Sequence, residues 1–221
     1  MVDVKTYRLR PTALIPNSSF PVLHYPSFLP ASNESAQKQS IATRFHDLLS
    51  RHGWQAQWIF RYGASQRSHY HSAAHECMVV LTGSATVRFG AADTTGDMHE
   101  NTHGSGWEDG GVEVEARAGD VFVIPAGVAH KTFDTRPEAE FKLLTPGDGH
   151  GLPGDAGGML DGIELDGFTM LGAYPVDGGP WDFAEGGEGR EVFERAWAVP
   201  PPTLDPVLGE STEGVRGLWK Q

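Results

Sequence analysis

The sequence lacks the features that mark a disulfide scaffold, a nucleic-acid-binding protein or a membrane protein. Its 221 residues include one cysteine, Cys77, which excludes intramolecular disulfides. The sequence has 17 Lys and Arg against 29 Asp and Glu, and it contains no run of basic residues that could neutralise nucleic acid phosphates. No segment approaches the roughly 18 consecutive apolar residues of a transmembrane helix, and no apolar stretch of signal length follows the first residues. We therefore expect a soluble cytoplasmic protein that binds neither nucleic acid nor membranes.

The first region, residues 1–53, has two parts. Its earlier half contains Pro11, Pro16, Pro21, Pro26 and Pro30, which lack the backbone donor that a central strand needs. We expect this half to run extended over the surface. In the later half, apolar residues recur at helical spacing and predict one amphipathic helix within Ser35–Gly53, packed on the body of the protein.

The second region, residues 54–177, is written in short β-rich runs: QWIFRY, CMVVLTGSATVRFG, VEVEARAGDVFVIPAG, HKTFD, EFKLLT and FTMLGAY. Runs at this spacing without intervening helices predict an all-β antiparallel sandwich or barrel. Residues 91–111 and 146–162 are rich in Gly, Asp and His, and we expect them to form long loops. Residues 178–221 read as an irregular extension whose aromatic residues pack back on the body, so that the chain forms one folding unit.

The stretch HYH, His69 to His71, contains the first candidate metal ligands. Side chains alternate across a strand, so His69 and His71 share one face and Tyr70 points to the other. The apolar run ECMVVL follows a short turn, and its Glu76 can face the same point. Two imidazoles and a carboxylate suit a divalent transition metal, namely Fe, Mn, Ni, Co, Cu or Zn.

A fourth ligand is predicted from GDVFVIPAGVAH, where His130 begins the strand after a turn at Pro125–Gly127. The two stretches together resemble the paired motifs of the cupin superfamily. The first motif, G(X)5HXH(X)4E(X)6G, matches Gly63, His69, His71, Glu76 and Gly83. The second, G(X)5PXG(X)2H(X)3N, matches Gly119, Pro125, Gly127 and His130, with Asp134 in place of its Asn. Between Ile15 and Trp219 the chain is similar to the YjlB-like branch of cupins.

The resemblance implies a double-stranded β-helix, the cupin jelly-roll barrel, here with an N-terminal helix and extended arm. It also implies that His69, His71, Glu76 and His130 bind a metal toward one mouth of the barrel. Many metal-binding cupins are dioxygenases, decarboxylases or isomerases, whereas most YjlB-like members have no assigned reaction. The alternative interpretation of the four residues is a set of satisfied polar side chains in a barrel that has lost its metal.

Several neighbouring residues are assigned by strand position. Arg61, Tyr62, Arg67 and Tyr70 flank the first motif and are candidates to orient a substrate. Met78 and Val80 share the face of Glu76, and apolar strand runs contain Phe122, Ile124, Phe141 and Leu143. We expect some of these six to form the dry wall of the cavity, as core residues first and substrate contacts second, and Met78 is a further candidate to contact a substrate. His75 should face away from Glu76. The loop histidines, His99, His103 and His150, are expected to be exposed to solvent.

Three functions remain open at this stage. The leading one is a metal-dependent enzyme of dioxygenase type that acts on a small organic molecule, with Glu76 also serving as a base. The second is a metal-assisted isomerase, epimerase or decarboxylase, which would turn over without oxygen. The third is a non-enzymatic protein that binds or stores a small ligand. The resemblance also implies a homodimer, because cupins are often dimers, and burying a sheet edge between two subunits is one way to protect that edge.

Overall fold

The computed structural model describes residues 2–30, 39–152 and 156–220. The start of the predicted helix segment at Ser35 lies outside these ranges. Within them the strands are β1 (Lys5–Tyr7), β2 (Val22–Tyr25), β3 (Trp54–Tyr62), β4 (Glu76–Thr82), β5 (Ser84–Phe89), β6 (Val112–Arg117), β7 (Val121–Ile124), β8 (His130–Arg136), β9 (Lys142–Leu143) and β10 (Phe168–Pro175). The helices are α1 (Ile41–Arg51), α2 (Met98–His103), α3 (Ala156–Asp161), α4 (Arg190–Ala198) and α5 (Val215–Leu218).

The described strands form two antiparallel sheets, which confirms the predicted antiparallel β architecture. The larger sheet has the order β1-β2-β7-β4-β10-β3-β9, and the smaller has the order β6-β5-β8. Strand β10 lies in the interior of this sheet, because it pairs with β4 on one side and β3 on the other. The site described below depends on residues from all three of these strands.

Strand β4 is buried on both faces, which explains its unbroken apolar run. Met78 and Val80 pack with Val87 of the smaller sheet, in a cluster between the two sheets. Cys77 and Val79 belong to a second cluster, on the opposite face, where α1 covers the larger sheet. The single cysteine is therefore a buried core residue.

The N-terminal arm departs from the prediction of an extended surface segment. Strand β2 is completely buried and pairs with β7, with Leu23 opposite Val123. Pro21 and Pro26 stand immediately outside the strand, so neither removes a donor from its ladder. Prolines at such positions delimit a short strand, and here they do not exclude one.

Helix α1 begins at a polar cap and presents its apolar side to the larger sheet. The Ser40 hydroxyl accepts a hydrogen bond from the Thr43 backbone N–H at 3.1 Å. Phe45 and Leu49 are 1% exposed and lie in the cluster over the larger sheet. None of the helices in the described ranges is long and apolar enough to cross a membrane.

Both segments predicted to be long loops contain a short helix. In residues 91–111 the Asp97 carboxylate accepts from the backbone N–H groups of the first turn of α2. Arg88 fastens the other end of α2, donating to the Asn101 and Thr102 carbonyls at 2.8 Å. In residues 146–162 the corresponding helix is α3, while residues 153–155 lie outside the described ranges. Helices of this length have too few residues for a periodic apolar pattern.

The C-terminal extension is more regular than expected, because it contains α4 and α5. It is fastened to the body by Asp205, whose carboxylate accepts from the Tyr25 hydroxyl at 2.5 Å and the Val215 N–H at 2.8 Å. The Trp219 indole donates to the Pro21 carbonyl at 2.9 Å and stacks on Phe20. These contacts join the two ends of the chain over one face of the larger sheet.

Candidate metal centre

Three histidines converge at one end of the space between the sheets. His69 and His130 face each other across two backbone hydrogen bonds of 2.8 and 3.1 Å, which bring their rings to a centroid separation of 4.3 Å. His71 lies on the same face as His69, and its ring centroid is 5.5 Å from each of the other two. One ring nitrogen from each of the three lies within 4.8 Å of the others, and all three residues are buried.

The second nitrogen of each ring is held by the backbone. Because a carbonyl oxygen can only accept, each Nδ1 must carry a proton and donate it. The acceptors are the carbonyl oxygens of Arg67 for His69 (3.2 Å), Val128 for His130 (3.4 Å) and Asp182 for His71. In the neutral tautomer each Nε2 therefore carries an unprotonated lone pair, which is the arrangement that metal-binding imidazoles require. The Nε2 of His71 also lies 3.5 Å from the Tyr174 hydroxyl.

Glu76 lies beside this cluster at the first residue of β4. Its Oε1 is 3.4 Å from His71 Nε2, and its Oε2 is 3.2 Å from His130 Nε2. The Tyr174 hydroxyl donates to Oε1 at 2.5 Å, and the Trp58 indole donates to the same hydroxyl at 3.3 Å. Among the described residues, Oε2 has no hydrogen bond partner although it is buried.

The electrostatics hold Glu76, His69 and His130 in the forms that bind a cation, and His71 is the exception. Burial alone raises the pKa of Glu76, but His71 and His130 outweigh it and lower the pKa to about 2. Burial lowers the pKa of His130 to about 4 and that of His69 well below its usual range, so both rings are neutral at pH 7. For His71, burial lowers the pKa but Glu76 outweighs it and raises the net value.

This donor set fits a divalent transition metal on two grounds. A neutral His130 Nε2 and an ionised Glu76 Oε2 are both acceptors at 3.2 Å, and only a cation or a proton between them satisfies both. Three imidazole nitrogens and a carboxylate oxygen also form a mixed N and O set typical of Fe, Mn, Ni, Co, Cu or Zn.

Comparison with known families identifies the domain. The Cupin family model matches residues 42–147. Over this span the chain is similar to the cupin family, as its two motifs predict.

A relative of the whole chain extends the comparison to both of its ends. An uncharacterized protein of Bacillus subtilis (strain 168), YjlB, is 26% identical over 223 residues, covering 98% of this chain and 97% of its own. The resemblance to the YjlB-like branch is thus confirmed. Among solved structures, the RmlC epimerase of Legionella pneumophila matches with 13% identity, a TM-score of 0.30, and 78% and 72% of the two chains. An oxalate decarboxylase of Lactobacillus farciminis matches with 15% identity, a TM-score of 0.30 and 58% of this chain, which spans 27% of the decarboxylase.

The backbone conformation explains the residue types at two positions of the cupin motifs. Gly83 has a φ of +73°, and a Cβ there would lie 2.5 Å from the Arg136 carbonyl oxygen. Asp134 has a φ of +53°, in the left-handed region that Asn and Asp tolerate best among residues with side chains. Asp134 therefore meets the conformational requirement of the slot where the motif has Asn.

A cavity of about 140 Å³ opens beside the four predicted ligands. Apart from those ligands and Gln66, its lining is aromatic, and we call it the aromatic pocket: Trp58, Phe60, Tyr62, Phe141, Tyr174, Trp181 and Phe183. Strand alternation directs Trp58, Phe60 and Tyr62 to it from β3. The pocket therefore combines a polar end, made by the ligands, with apolar walls.

Only some of the residues predicted to contact a substrate lie at the aromatic pocket. Tyr62 lines the aromatic pocket. Arg61, next to it on β3, points to the opposite face and binds both oxygens of the exposed Asp166 at 2.8 and 2.9 Å. Met78 is 1% exposed in the core below the pocket. The structure thus brings Tyr62 to the site and leaves Arg61 and Met78 away from it.

Tyr70 is also directed away from the aromatic pocket, as the alternation between His69 and His71 requires. Its ring packs with Ile15 and Ala184, and its hydroxyl donates to Glu188 at 2.7 Å. Arg67 pairs with the exposed Glu185 at 3.1 Å. Neither side chain is in a position to contact a ligand beside the histidines.

The other histidines occupy three different environments. His75 is buried on the outer side of β4, between the Ala126 N–H and the Pro200 carbonyl. His99 and His103 line an open depression of about 570 Å³ beside Asp134, which holds none of the predicted ligands. His150 is exposed but stacks on Trp181 at 4.3 Å, which places a loop histidine at the mouth of the aromatic pocket.

Sequence reasoning missed two groups that support the ligands. Tyr174 is the last inward-facing residue of FTMLGAY, so its strand parity was a usable signal. The Asp182 carbonyl that orients His71 had no such signal, because a backbone group has no residue signature. The Asp182 carboxylate adds a second tie by accepting from the Ser72 N–H at 2.6 Å.

Proposed function

We propose that this protein is a metal-dependent cupin enzyme that acts on a small organic molecule, with a dioxygenase-type oxidation as the leading reaction. His69, His71, Glu76 and His130 would hold one divalent transition metal at the mouth of a jelly-roll barrel. The observation that carries the proposal is the convergence of three buried ring nitrogens within 4.8 Å. A buried carboxylate oxygen without a hydrogen bond partner supports it.

When bound, the metal would supply a Lewis acid and, if it is iron, the redox capacity that dioxygen chemistry needs. The protein's own contribution is to hold the donors and keep water out. The backbone carbonyls that accept from each Nδ1 fix ring orientation before any ligand arrives. The aromatic walls exclude water, which strengthens electrostatic interactions at the polar end of the pocket.

Glu76 is proposed both as a ligand and as the base. Its low pKa keeps the carboxylate ionised at neutral pH, so it can accept a proton from a bound hydroxyl group. Tyr174 would hold Oε1 and leave Oε2 toward the histidines. Burial raises the pKa of Tyr174 well above its usual value, and Glu76 raises it further, so the phenol stays protonated and acts as a donor.

The same carboxylate and phenol favour a second candidate, a metal-assisted isomerase, epimerase or decarboxylase. A carboxylate that can remove a proton, beside a phenol that donates a hydrogen bond, is suited to enolisation, which needs no oxygen. A non-enzymatic binding or storage role is the third candidate. It predicts ligand binding without turnover under either atmosphere.

We also propose a homodimer. The outer strands of the larger sheet are short, with three residues in β1 and two in β9, and a second subunit could cover either edge. Light scattering coupled to size-exclusion chromatography tests this directly. A mass near 24 kDa, that of one chain, would contradict it.

The first experiment is elemental analysis of protein purified without a metal-chelating tag. The wild type should hold close to one equivalent of a divalent transition metal, and the variant H69A/H71A should hold almost none. The matched control is H99A/H103A, which removes two histidines from the exposed depression. Wild-type metal below about a tenth of an equivalent, or no loss in H69A/H71A, overturns the metal site.

The second experiment separates the candidate reactions. Oxygen consumption is measured with catechols, flavonols, diketones and hydroxy acids, and each compound is then incubated without oxygen. Oxygen-dependent turnover that disappears in H69A/H71A supports the dioxygenase. Turnover without oxygen supports the isomerase or decarboxylase, and binding without turnover supports the third candidate.

A further inference from the structure

We propose that the aromatic pocket selects a planar ligand with one aromatic ring that carries its oxygen donors at one end. The placement of the oxygen donors rests on the metal function proposed above. Recognition of the ring does not, because it depends only on the walls of the pocket. The two parts can therefore fail separately.

The ring preference follows from flat walls that already form stacked pairs. The Phe183 ring lies 4.0 Å from that of His69 at an interplanar angle of 12°. Phe60 and Phe141 are stacked at 5.0 Å and 18°. Aromatic faces and edges arranged in this way favour a further flat ring over a puckered or branched one, by offset stacking and edge-to-face contacts.

Two of these aromatics are exposed to an unusual degree. Phe141 and Phe183 have exposed fractions of 59% and 54%, although both sit on the lining of a pocket. Large apolar side chains at the rim of a concave site gain from being covered, at about 25 cal/mol per Å² removed from water. A planar apolar ligand is the occupant that would cover both.

Charge and size exclude the main alternatives. Within the described ranges, no Lys or Arg lines the pocket, and the nearby Arg61 and Arg67 are paired with Asp166 and Glu185. Phosphates and multiple carboxylates, which are normally held by such cations, would have no partner there. The volume of about 140 Å³ is close to the roughly 150 Å³ of an apolar cavity that takes benzene. One ring fills this volume.

The test compares two chelators with the same donor group. Benzohydroxamate and acetohydroxamate both present a hydroxamate, but only the first carries a ring. We expect metal-loaded wild type to bind benzohydroxamate at least about tenfold more tightly, measured by calorimetry. In F141A/F183A the ratio of the two affinities should fall close to the ratio measured with the free metal ion. L29A, which removes an exposed leucine elsewhere, should keep the wild-type ratio. Cyclohexanecarbohydroxamate, with a puckered ring, should bind like acetohydroxamate.

Equal affinity for the two hydroxamates, or an unchanged ratio in F141A/F183A, overturns the proposal. A second arm separates it from the metal function. Phenol and cyclohexanol are compared by saturation-transfer NMR on protein treated with EDTA. Preference for phenol without any metal uptake would overturn the proposed metal function and retain ring recognition. Metal uptake without a preference for the aromatic ligand in either arm would overturn ring recognition and retain the proposed metal function.

Discussion

His75 should make this protein sensitive to acid. It is 3% exposed, its Nδ1 accepts from the Ala126 N–H at 2.9 Å, and its Nε2 faces the Pro200 carbonyl at 3.0 Å. Nε2 must therefore carry the proton, and both nitrogens are used in the neutral form. A second proton, on Nδ1, would be directed at the Ala126 N–H. Burial accordingly lowers the pKa of His75 to about 4, against an ordinary 6.5.

The sign of the effect follows from which state binds more protons. Between pH 6.5 and 4 the unfolded chain protonates His75 and the folded chain does not, so stability is complete above this window and is lost as the pH falls through it. The shift corresponds to about 3 kcal/mol over the whole window, of which about 2 kcal/mol is lost between pH 7 and pH 5. That is a substantial part of the stability of a typical domain.

The assay is urea denaturation of metal-free protein at pH 7, 6 and 5. Between pH 7 and pH 5 the wild type should lose about 2 kcal/mol more than H75Q, because all other titrating groups are common to the two proteins. H99Q removes an exposed imidazole and should follow the wild type. If wild type and H75Q show the same pH dependence within about 0.5 kcal/mol, the buried His75 does not control acid stability and the reasoning is refuted.

Four further outcomes follow from named contacts. Y174F removes the hydroxyl that binds Glu76 and should weaken metal affinity about 10- to 100-fold by competition with a chelator, with unchanged circular dichroism; equal affinity would contradict the support role. G172A should lower unfolding free energy by at least about 2 kcal/mol, since its Cβ would collide with the Trp58 indole, and quenched or shifted tryptophan fluorescence should accompany it. D205A should cost at least about 3 kcal/mol in urea denaturation, because the Tyr25 hydroxyl and several tail N–H groups lose their acceptor; a cost below about 1 kcal/mol would show that the tail is held elsewhere. Removal of metal by EDTA should lower the melting temperature of the wild type and leave that of H69A/H71A unchanged, since under the proposed function only the former binds metal in its folded state.

Local patterns were enough to predict much of the candidate site. Alternation along HYH separates His69 and His71 from Tyr70, and the structure keeps that separation. The second motif, with its turn at Pro125–Gly127, identified His130, whose strand end pairs with His69. Such features were accessible because each depends on a few consecutive residues or on a spacing that the motifs define.

Contacts between distant segments were not accessible in the same way. Tyr174 reaches Glu76 only because β10 lies beside β4, and nothing within FTMLGAY specifies that neighbour. Strand β2 could not be predicted, because its flanking prolines are compatible with either a surface arm or a short paired strand. The short helix α2 depends on the Asp97 cap and on Arg88, which lies outside the loop that the helix interrupts.

Strand β10 lies between β3 and β4, and this position limits where the domain can be truncated. A protein made from residues 42–147 alone would contain all four predicted ligands but neither β10 nor β2. Strands β3 and β4 would then face each other across a gap one strand wide, with both inner edges unpaired and prone to aggregation. Tyr174, the Asp182 carbonyl and two walls of the pocket would also be missing. The span matched by the family model is thus smaller than the set of strands that pair in the larger sheet, and library or truncation experiments should keep residues on both sides of it.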